Sequence, residues 1–407
     1  MKTASVSEVF WAFFKLGLTS FGGPVAHLAY FRHELVQRRR WLTEQAYAEL
    51  IAVCQFLPGP ASSQVGFAMG LMRAGWAGAL AAWLAFTLPS AVIMMVVAWL
   101  VTNPTEWATA LGVPAVIHGL KWVAVVVVTQ AVVGMARSLC IDRPTVLMAL
   151  VALLSLLLLP SVLPLPTVVV MIGVMVLGAA VGVRWCQSAV PSEIAGFSSP
   201  VSRTAAKVAG GLLVMVLLAL PGLGFLFPET VWSLVDSMAR AGALVLGGGH
   251  VVLPLLEAEL VSSKGLSHED FIAGYGAAQA LPGPLFAVAA YFGAVLTPAS
   301  PVLGAALALM AIFLPGLLLL VWVLPYWQQL RSHRHASAAM AGASATVVGL
   351  LAAALIHPIG TSAMTSLPDV LMVSGGLLLL MLWRWPILGV IAAMVTAALV
   401  LNVWGLV

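Results

Sequence analysis

The chain has 407 residues, of which 62% are hydrophobic and only 8% are charged. A soluble globular domain carries about 45–50% apolar and about 25% charged residues, so this composition excludes a water-soluble fold. The net charge of +4 is small and dispersed, which excludes the clustered basic face of a nucleic-acid-binding protein. Cys54, Cys140 and Cys186 lie far apart and fit neither a disulfide framework nor a metal site. We therefore expect an all-α, multi-pass membrane protein without a metal or a cofactor.

Apolar segments follow one another along most of the chain. A membrane-spanning helix needs about 20 apolar residues to cross roughly 30 Å of hydrocarbon. Thirteen segments can be delimited, and the fifth and the twelfth are short. They cover residues 9–31, 46–70, 76–101, 113–136, 145–160, 165–183, 208–227, 231–256, 271–296, 302–325, 337–356, 367–383 and 386–406.

The most polar interior stretch, residues 184–207, lies near the middle of the chain and contains two prolines and several serines. This composition predicts a linker between two halves. We expect an N-terminal repeat over residues 1–185, a linker with an extra transmembrane helix over residues 186–230, and a C-terminal repeat over residues 231–407.

The two halves carry the same motifs in the same order. The run QFLPGP over Gln55–Pro60 recurs as QALPGP over Gln279–Pro284, at an offset of 224 residues. Further pairs follow at offsets of 225 and 226, namely Lys15 with Arg240, Gly22-Gly23 with Gly247-Gly248, and Leu88-Pro89 with Leu314-Pro315. Collinear matches at a nearly constant offset indicate two homologous copies of six segments, with one extra segment between them.

The charged loops indicate how the copies are oriented. If all thirteen segments crossed the membrane, the loop with Arg38–Arg40 would face outside, against the positive-inside rule. If segments one, two, eight and nine are hairpins that return to their own side, 14 of the 18 Lys and Arg residues lie inside and only Lys264 lies in an outside loop. The second copy is then inverted, with the N-terminus cytoplasmic and the C-terminus periplasmic. Inverted repeats with broken helices are typical of secondary transporters.

The predicted helix breaks fall at glycine and proline motifs, which free backbone polar groups at membrane depth. Such groups are tolerated only where they are buried in protein or line a wet cavity. A half-helix that starts after a proline offers free N–H groups to an anion, and a glycine lets the anion approach the main chain. We therefore predict an oxyanion site at Gly22, Gly23, Pro58, Gly59, Pro60, Ser62, Ser63, Gly247, Gly248, Pro282 and Gly283.

Three cations lie within the apolar segments. Lys15 and Arg240 occupy equivalent repeat positions, and together they would neutralise a doubly charged anion. The alternatives are that Arg240 pairs with Asp236, one helical turn earlier, and that Lys15 extends to the membrane surface. Lys121 is either a third counter-charge or a residue that reaches the surface from its helix end.

Titratable and amide side chains lie near the breaks. His27, Glu49 and His250 are candidates for proton coupling, because histidine titrates near neutral pH and Glu49 precedes the first proline break. The alternatives are a hydrogen-bonding role for each histidine and a solvated position for Glu49. Gln55 and Gln279 would bind either the freed backbone groups, which we favour, or the substrate.

Several of these motifs match a known family. The runs Phe21-Gly22-Gly23-Pro24, Trp41-Leu42 and QFLPGP, with Gly247–His250 and Leu281–Pro284, resemble the long-chain, two-domain members of the chromate transporter family. The resemblance implies export of chromate across the bacterial inner membrane, driven by the proton-motive force, which gives chromate resistance. It also implies that sulfate competes. The second glycine motif departs from the pattern, since it reads LGGGH instead of FGGP.

Functions other than chromate export also fit parts of this pattern. A sulfate or other oxyanion transporter would use the same kind of site, and a passive anion channel would differ by not concentrating its ion. The chain contains neither HExxH nor GxSxG, so we do not expect an enzyme. The expected partners are chromate or sulfate and the lipid bilayer; the sequence leaves a homodimer open and indicates no nucleic acid.

Overall fold

The computed structural model describes residues 5–103, 112–162, 167–186, 199–227, 230–246 and 249–404. Within these ranges the regular structure is helical and contains no β-strand. Six of the helices are long and apolar enough to cross a membrane, and four shorter apolar helices accompany them. The protein is therefore an all-α membrane protein, which confirms the prediction from composition.

The helices of the described residues are numbered in chain order. The first copy contains α1 (Val6–Thr19), α2 (Gly23–Phe31, continued by a π-helical stretch Arg32–Arg38), α3 (Glu44–Phe56), α4 (Ala61–Thr102), α5 (Val113–Leu139), α6 (Arg143–Val162) and α7 (Thr167–Trp185). The extra helix is α8 (Arg203–Leu226). The second copy contains α9 (Val231–Leu244), α10 (Val252–Lys264), α11 (His268–Ala280), α12 (Val288–Leu296), α13 (Pro301–Val323), α14 (Trp327–Ser332), α15 (Arg334–Ala354), α16 (Leu367–Leu377) and α17 (Ile387–Val403).

Equivalent residues start equivalent helices in the two copies. The hydroxyl of Thr43 accepts a hydrogen bond from the backbone N–H of Ala46 at 3.2 Å, before α3. The hydroxyl of Ser267 accepts one from the N–H of Asp270 at 3.0 Å, before α11. A hydroxyl at this position satisfies an N–H group that the helix itself leaves unbonded. The caps lie 224 residues apart, the offset of the proline motifs.

Four helices end directly before the predicted breaks. They are α1 at Thr19, α3 at Phe56, α9 at Leu244 and α11 at Ala280. Each has 13 or 14 residues, and at 1.5 Å per residue this gives about 20 Å, which is less than the roughly 30 Å of the hydrocarbon core. None of these four helices is long enough to cross a bilayer alone.

The first glycine break reverses the chain direction. Lys15 Nζ lies 3.6 Å from Glu34 Oε2, and the guanidinium of Arg39 lies 3.8 Å from Glu8 Oε1. Residue 8 thus meets residue 39 and residue 15 meets residue 34, as in two antiparallel arms that turn near Gly22. The helices α1 and α2 form a helical hairpin.

Two breaks of the second copy reverse the chain in the same way. Across the proline break, the Tyr291 hydroxyl donates to the backbone oxygen of Asp270 at 2.9 Å, and the rings of Phe271 and Phe292 stack with centroids 5.1 Å apart. Across the glycine break, Arg240 of α9 lies 2.7 Å from Glu259 of α10. The pairs α9–α10 and α11–α12 are therefore also helical hairpins.

The two copies exchange backbone hydrogen bonds at their breaks. The N–H of Gly59, in the first proline break, donates to the oxygen of Val245 at 2.8 Å. The N–H of Gly283, in the second proline break, donates to the oxygen of Ser20 at 2.8 Å. Both donors and both acceptors are repeat equivalents, at offsets of 224 and 225. A reciprocal contact of this kind is what a two-fold relation between two similar units produces.

Small residues let equivalent helices touch through their backbones. A Cβ atom added at Gly17 would lie 2.7 Å from the oxygen of Phe86, so α1 packs directly on α4. A Cβ atom added at Gly242 would overlap the oxygen of Ile312, so α9 packs on α13 in the same way. Close approach at small residues is a general feature of helix packing in membranes.

We predict that Gly242→Ala destabilises the protein, because the new methyl group would force α9 away from α13. Overpacking of this type costs about 1–3 kcal/mol. The measurement is the midpoint of thermal unfolding in detergent at a fixed scan rate. Gly211→Ala is the matched control: it lies within α8 with open space around its added Cβ, so its midpoint should stay level or rise slightly. Equal midpoints for the two variants would contradict the packing argument.

Candidate functional site

A cavity of about 700 Å³ lies where the breaks of the two copies meet. We call it the central cavity. Residues of both glycine breaks and of the segments around both proline breaks line it, namely Gly22, Pro24, Gln55, Gly59, Gly249, His250 and Gln279. The tertiary structure thus brings the duplicated motifs to one place.

Another wall of the central cavity was not predicted from the sequence. Gln130, Gly134 and Ser138 of α5 line it at intervals of four residues, which places them on one face of the helix, and Ser344 of α15 lines it as well. An isolated amide within the valine-rich fourth segment was the available signal for Gln130. No repeat match marked any of these positions.

The predicted site residues divide into two groups. Gly22, Gln55, Gly59, His250 and Gln279 line the central cavity. Other predicted residues within the described ranges do not line it, namely Lys15, Gly23, His27, Glu49, Pro58, Pro60, Ser62, Ser63, Arg240, Pro282 and Gly283. Gly247 and Gly248 lie outside the described residues.

Two helix N-termini border the central cavity. Gly22 caps α2 with a φ of +93°, a left-handed conformation that favours glycine, and Pro24 and Val25 of the first turn line the cavity. Ala61, the first residue of α4, lines it directly after the proline break. The first N–H groups of a helix have no partner within the helix, and together they carry a partial positive charge. Both ends can therefore bind an anion.

The residues that line the central cavity in the described part of the chain include no Lys, Arg, Asp or Glu. Backbone N–H groups, amides, hydroxyls and His250 are the available hydrogen-bonding groups. The described residues also contain no group of three or more His, Cys, Asp or Glu side chains arranged to hold a metal ion. The chemistry of the cavity is that of neutral hydrogen-bond donors near helix N-termini.

Hydrogen bonds hold His250 in the cavity wall. Its Nδ1 lies 2.9 Å from the hydroxyl of Tyr275 and 3.4 Å from the Gln279 amide nitrogen. Its Nε2 faces Gly23 and lies 3.7 Å from the position that a Cβ atom added at Gly23 would take. His250 of the second copy therefore packs against the glycine break of the first.

Side chains satisfy the carbonyl groups that the proline breaks set free. The Gln64 amide donates to the oxygen of Pro58 at 3.0 Å and to the oxygen of Gly316 at 2.9 Å. The Ser90 hydroxyl donates to the oxygen of Pro282. Buried backbone acceptors need such partners. The role that we favoured for Gln55 and Gln279 from the sequence is thus performed, at these two carbonyls, by Gln64 and Ser90.

Lys15 and Arg240 pair with equivalent carboxylates. Lys15 lies 3.6 Å from Glu34, and Arg240 lies 2.7 Å from Glu259, which is 225 residues after Glu34. Arg240 also lies 2.7 Å from Asp236, the pairing that the sequence offered as an alternative. Each cation therefore joins the two arms of its own hairpin.

Glu34 has more than one cationic partner. Arg38 donates to both of its carboxylate oxygens at 2.8 and 2.9 Å, and Arg39 donates at 2.9 Å. Burial raises the pKa of this carboxyl, but the hydrogen bonds from Arg39 and Arg38 lower it by more, to about 2. Glu34 is therefore ionised at neutral pH, with Lys15 as one of three cations around it.

The remaining candidates lie in buried contacts. His27 Nδ1 lies 3.3 Å from the Ser62 hydroxyl, and both residues are buried. Ser63 is buried, and its hydroxyl has no hydrogen-bond partner among the described residues. The indole N–H of Trp327 donates to the Glu49 carboxylate at 3.2 Å. These contacts connect the hairpins to the rest of the fold.

Two copies of a broken-helix unit, packed reciprocally around a central cavity inside an all-α membrane protein, form an architecture that is typical of membrane transporters. The sequence model described as "Chromate transporter" matches residues 7–183 and again residues 232–401. The two matches start 225 residues apart, which is the offset of the glycine motifs. The chain belongs to the chromate transporter family.

Curated relatives agree with this assignment. A chromate transport protein of Pseudomonas aeruginosa is 26% identical over 86% of this chain and 80% of its own length. A probable chromate transport protein of Synechococcus elongatus is 26% identical over 93% of this chain and 90% of its own length. A chromate transport protein of Cupriavidus metallidurans is 26% identical over 87% of this chain and 82% of its own length. No solved structure matches the chain.

The two ion pairs predict unequal effects of removing the cations. Arg240→Gln should cost about 1–3 kcal/mol of stability and so lower the midpoint of thermal unfolding in detergent, because two buried carboxylates lose a hydrogen-bonded partner. Lys15→Gln should cost only about 0–1 kcal/mol, since Lys15 is more than half exposed and Glu34 keeps Arg38 and Arg39. A larger loss for Lys15→Gln than for Arg240→Gln would show that the two cations do not have these structural roles.

Proposed function

We propose that this protein exports chromate across the bacterial inner membrane by alternating access, driven by the proton-motive force. The observation that carries the proposal is the central cavity at the meeting point of both copies, whose described lining offers amides, hydroxyls and His250 but no charged side chain, in a chain of the chromate transporter family. Three relatives that align over most of the chain are named as chromate or probable chromate transport proteins, which supports chromate as the substrate.

We place the copies in inverted orientation, with the N-terminus in the cytoplasm and the C-terminus in the periplasm. Helices of about 20 Å that fold back as hairpins return to the side from which they start. Hairpins at the four breaks leave nine crossing segments, an odd number, and they keep the basic loop Arg38–Arg40 inside. This arrangement matches the charge distribution of the loops.

In this topology the central cavity opens toward the cytoplasm. Its wall on α5 runs from Val127 to Leu139, beside Arg137, and that end of α5 lies inside in this topology. Chromate would therefore enter from the cytoplasm and bind between the N-termini of α2 and α4. The two copies would then move relative to each other and expose the ion to the periplasm.

Neutral donors suit the transport of a dianion. Helix N-termini, Gln130, Gln279 and Ser344 offer hydrogen bonds to a tetrahedral oxyanion without a fixed positive charge at the site. A transport site must bind its ion strongly enough to take it up and weakly enough to release it. Sulfate has the same shape and charge as chromate, so we expect it to compete.

Of the three candidates for proton coupling, we favour His250. It lines the central cavity, whereas His27 and Glu49 lie in contacts outside its wall. A histidine at the substrate site can exchange a proton when the cavity changes sides.

The direct test is chromate uptake into energised inside-out membrane vesicles, with and without excess sulfate. We expect accumulation above the passive level that a protonophore abolishes, because the interior of such vesicles corresponds to the periplasm. Uptake that only equilibrates would indicate a passive channel. Preferential uptake of sulfate would make sulfate the substrate.

The same assay tests the site. Gln130→Leu should lower kcat/KM for chromate about tenfold or more, because a hydrogen bond to a charged group contributes about 1.5–3 kcal/mol. Gln328→Leu, at an exposed glutamine of α14 outside the cavity, is the control and should transport normally. Equal rates for the two variants would remove Gln130 from the site.

Cysteine labelling tests the topology. On a background without Cys54, Cys140 and Cys186, an impermeant reagent added to spheroplasts should label Ala299→Cys, which is exposed between α12 and α13. It should not label Gln37→Cys, exposed after α2. Labelling of Gln37→Cys from outside would reject the proposed orientation.

A further inference from the structure

A second pocket lies between α4, α5 and α11, at the end of α5 opposite to Ser138. Its volume is about 370 Å³. His118, Lys121, Glu269, Asp270 and Ala273 line it together with apolar residues. We call it the α5–α11 pocket. In the topology proposed above it opens to the periplasm.

The α5–α11 pocket and the central cavity share two walls. On α5, Lys121 is the last residue of the pocket and Val127 the first of the cavity. On α11, Ala273 is the last residue of the pocket and Gln279 lines the cavity. Both separations are six residues, or about 9 Å along a helix. The two spaces thus follow each other along both helices, with a short stretch of protein between them.

The helices α5 and α11 pack tightly against each other near this stretch of protein. A Cβ atom added at Gly276 of α11 would overlap the backbone oxygen of Leu120 of α5. Glycine at this position therefore lets the two backbones touch beside Lys121 on α5 and between Ala273 and Gln279 on α11. A separation of α5 from α11 by a few ångströms would open a passage there.

The α5–α11 pocket contains charged side chains of both signs. The Lys121 side chain is only 12% exposed, and its amine lies 3.5 Å from Glu269, whose side chain is 78% exposed. Asp270 accepts a hydrogen bond from the Ser267 hydroxyl at 2.7 Å. His118 Nε2 lies 2.7 Å from the Asp369 carboxylate. One cation and two carboxylates give this pocket a net negative charge.

We propose that the α5–α11 pocket is the periplasmic release vestibule of the transport path, where Lys121 receives the oxyanion and Glu269 and Asp270 oppose its return. This inference rests on the proposed function. It also gives α5 and α11 the role of the periplasmic gate, since the two helices connect the vestibule to the central cavity. The negative lip favours release of a dianion over rebinding.

A purely structural role of the Lys121–Glu269 ion pair makes a different prediction. Removing either partner breaks the same contact, so both variants would then show the same small defect. If both residues act in the transport path, the two variants should have opposite effects, because Lys121→Gln removes an attraction for the anion and Glu269→Gln removes a repulsion. An ion pair with one exposed partner contributes little to stability, so both variants should fold.

The experiment is chromate exchange in inside-out vesicles loaded with graded concentrations of chromate. The luminal half-saturation reports the periplasmic side, and the half-saturation from the medium reports the cytoplasmic side. We expect Lys121→Gln to raise the luminal value about three- to tenfold and Glu269→Gln to lower it by a similar factor. The half-saturation from the medium should not change in either variant. Lys121→Arg, which keeps the positive charge, should have the wild-type luminal half-saturation. Lys207→Gln, at an exposed position of α8, controls for the loss of one positive charge.

Shifts in the same direction, or no shift in either variant, would overturn the vestibule. So would equal shifts on both sides of the membrane. Wild-type vesicles that exchange no chromate would instead overturn the proposed function and the vestibule with it, so the two failures are distinguishable.

Discussion

The structure depends on how four helix breaks satisfy their backbone groups inside a membrane. An unpaired N–H or C=O group in hydrocarbon costs several kcal/mol, so each break needs a partner nearby. For the N–H groups of Gly59 and Gly283 the partner comes from the other copy, since Gly59 donates to Val245 and Gly283 donates to Ser20. Neither copy can make these bonds alone. The same contact brings both sets of breaks to one place, and the central cavity forms there.

Charge is kept away from that cavity. The cations of the first and second glycine hairpins pair with Glu34 and Glu259, which join the two arms of each hairpin. The residues around the central cavity in the described ranges are uncharged, and the polarity comes from helix ends, amides and hydroxyls. The ion pairs thus hold the hairpins in shape, and the helix N-termini contribute a partial positive charge at the cavity.

The two copies share an architecture but differ in individual contacts. Their caps, their tight glycine contacts and their reciprocal bonds are equivalent, but the carbonyl of Pro58 is satisfied by Gln64 and that of Pro282 by Ser90. His250 stands in the second glycine motif, where the first has a different residue, and it packs toward Gly23. A site made by unequal copies can have different affinities on its two sides.

The sequence by itself determined the membrane class, the repeat and the positions of the breaks, because composition, motif offset and proline geometry are local properties. It also predicted Gly22, Gln55, Gly59, His250 and Gln279 as site residues, and the fold places these five around the central cavity. Only the tertiary structure decided that Lys15 and Arg240 face carboxylates, and that Gln130 and Ser344 complete the cavity. Those contacts join residues far apart in the chain, and no local pattern specifies which helices pack together.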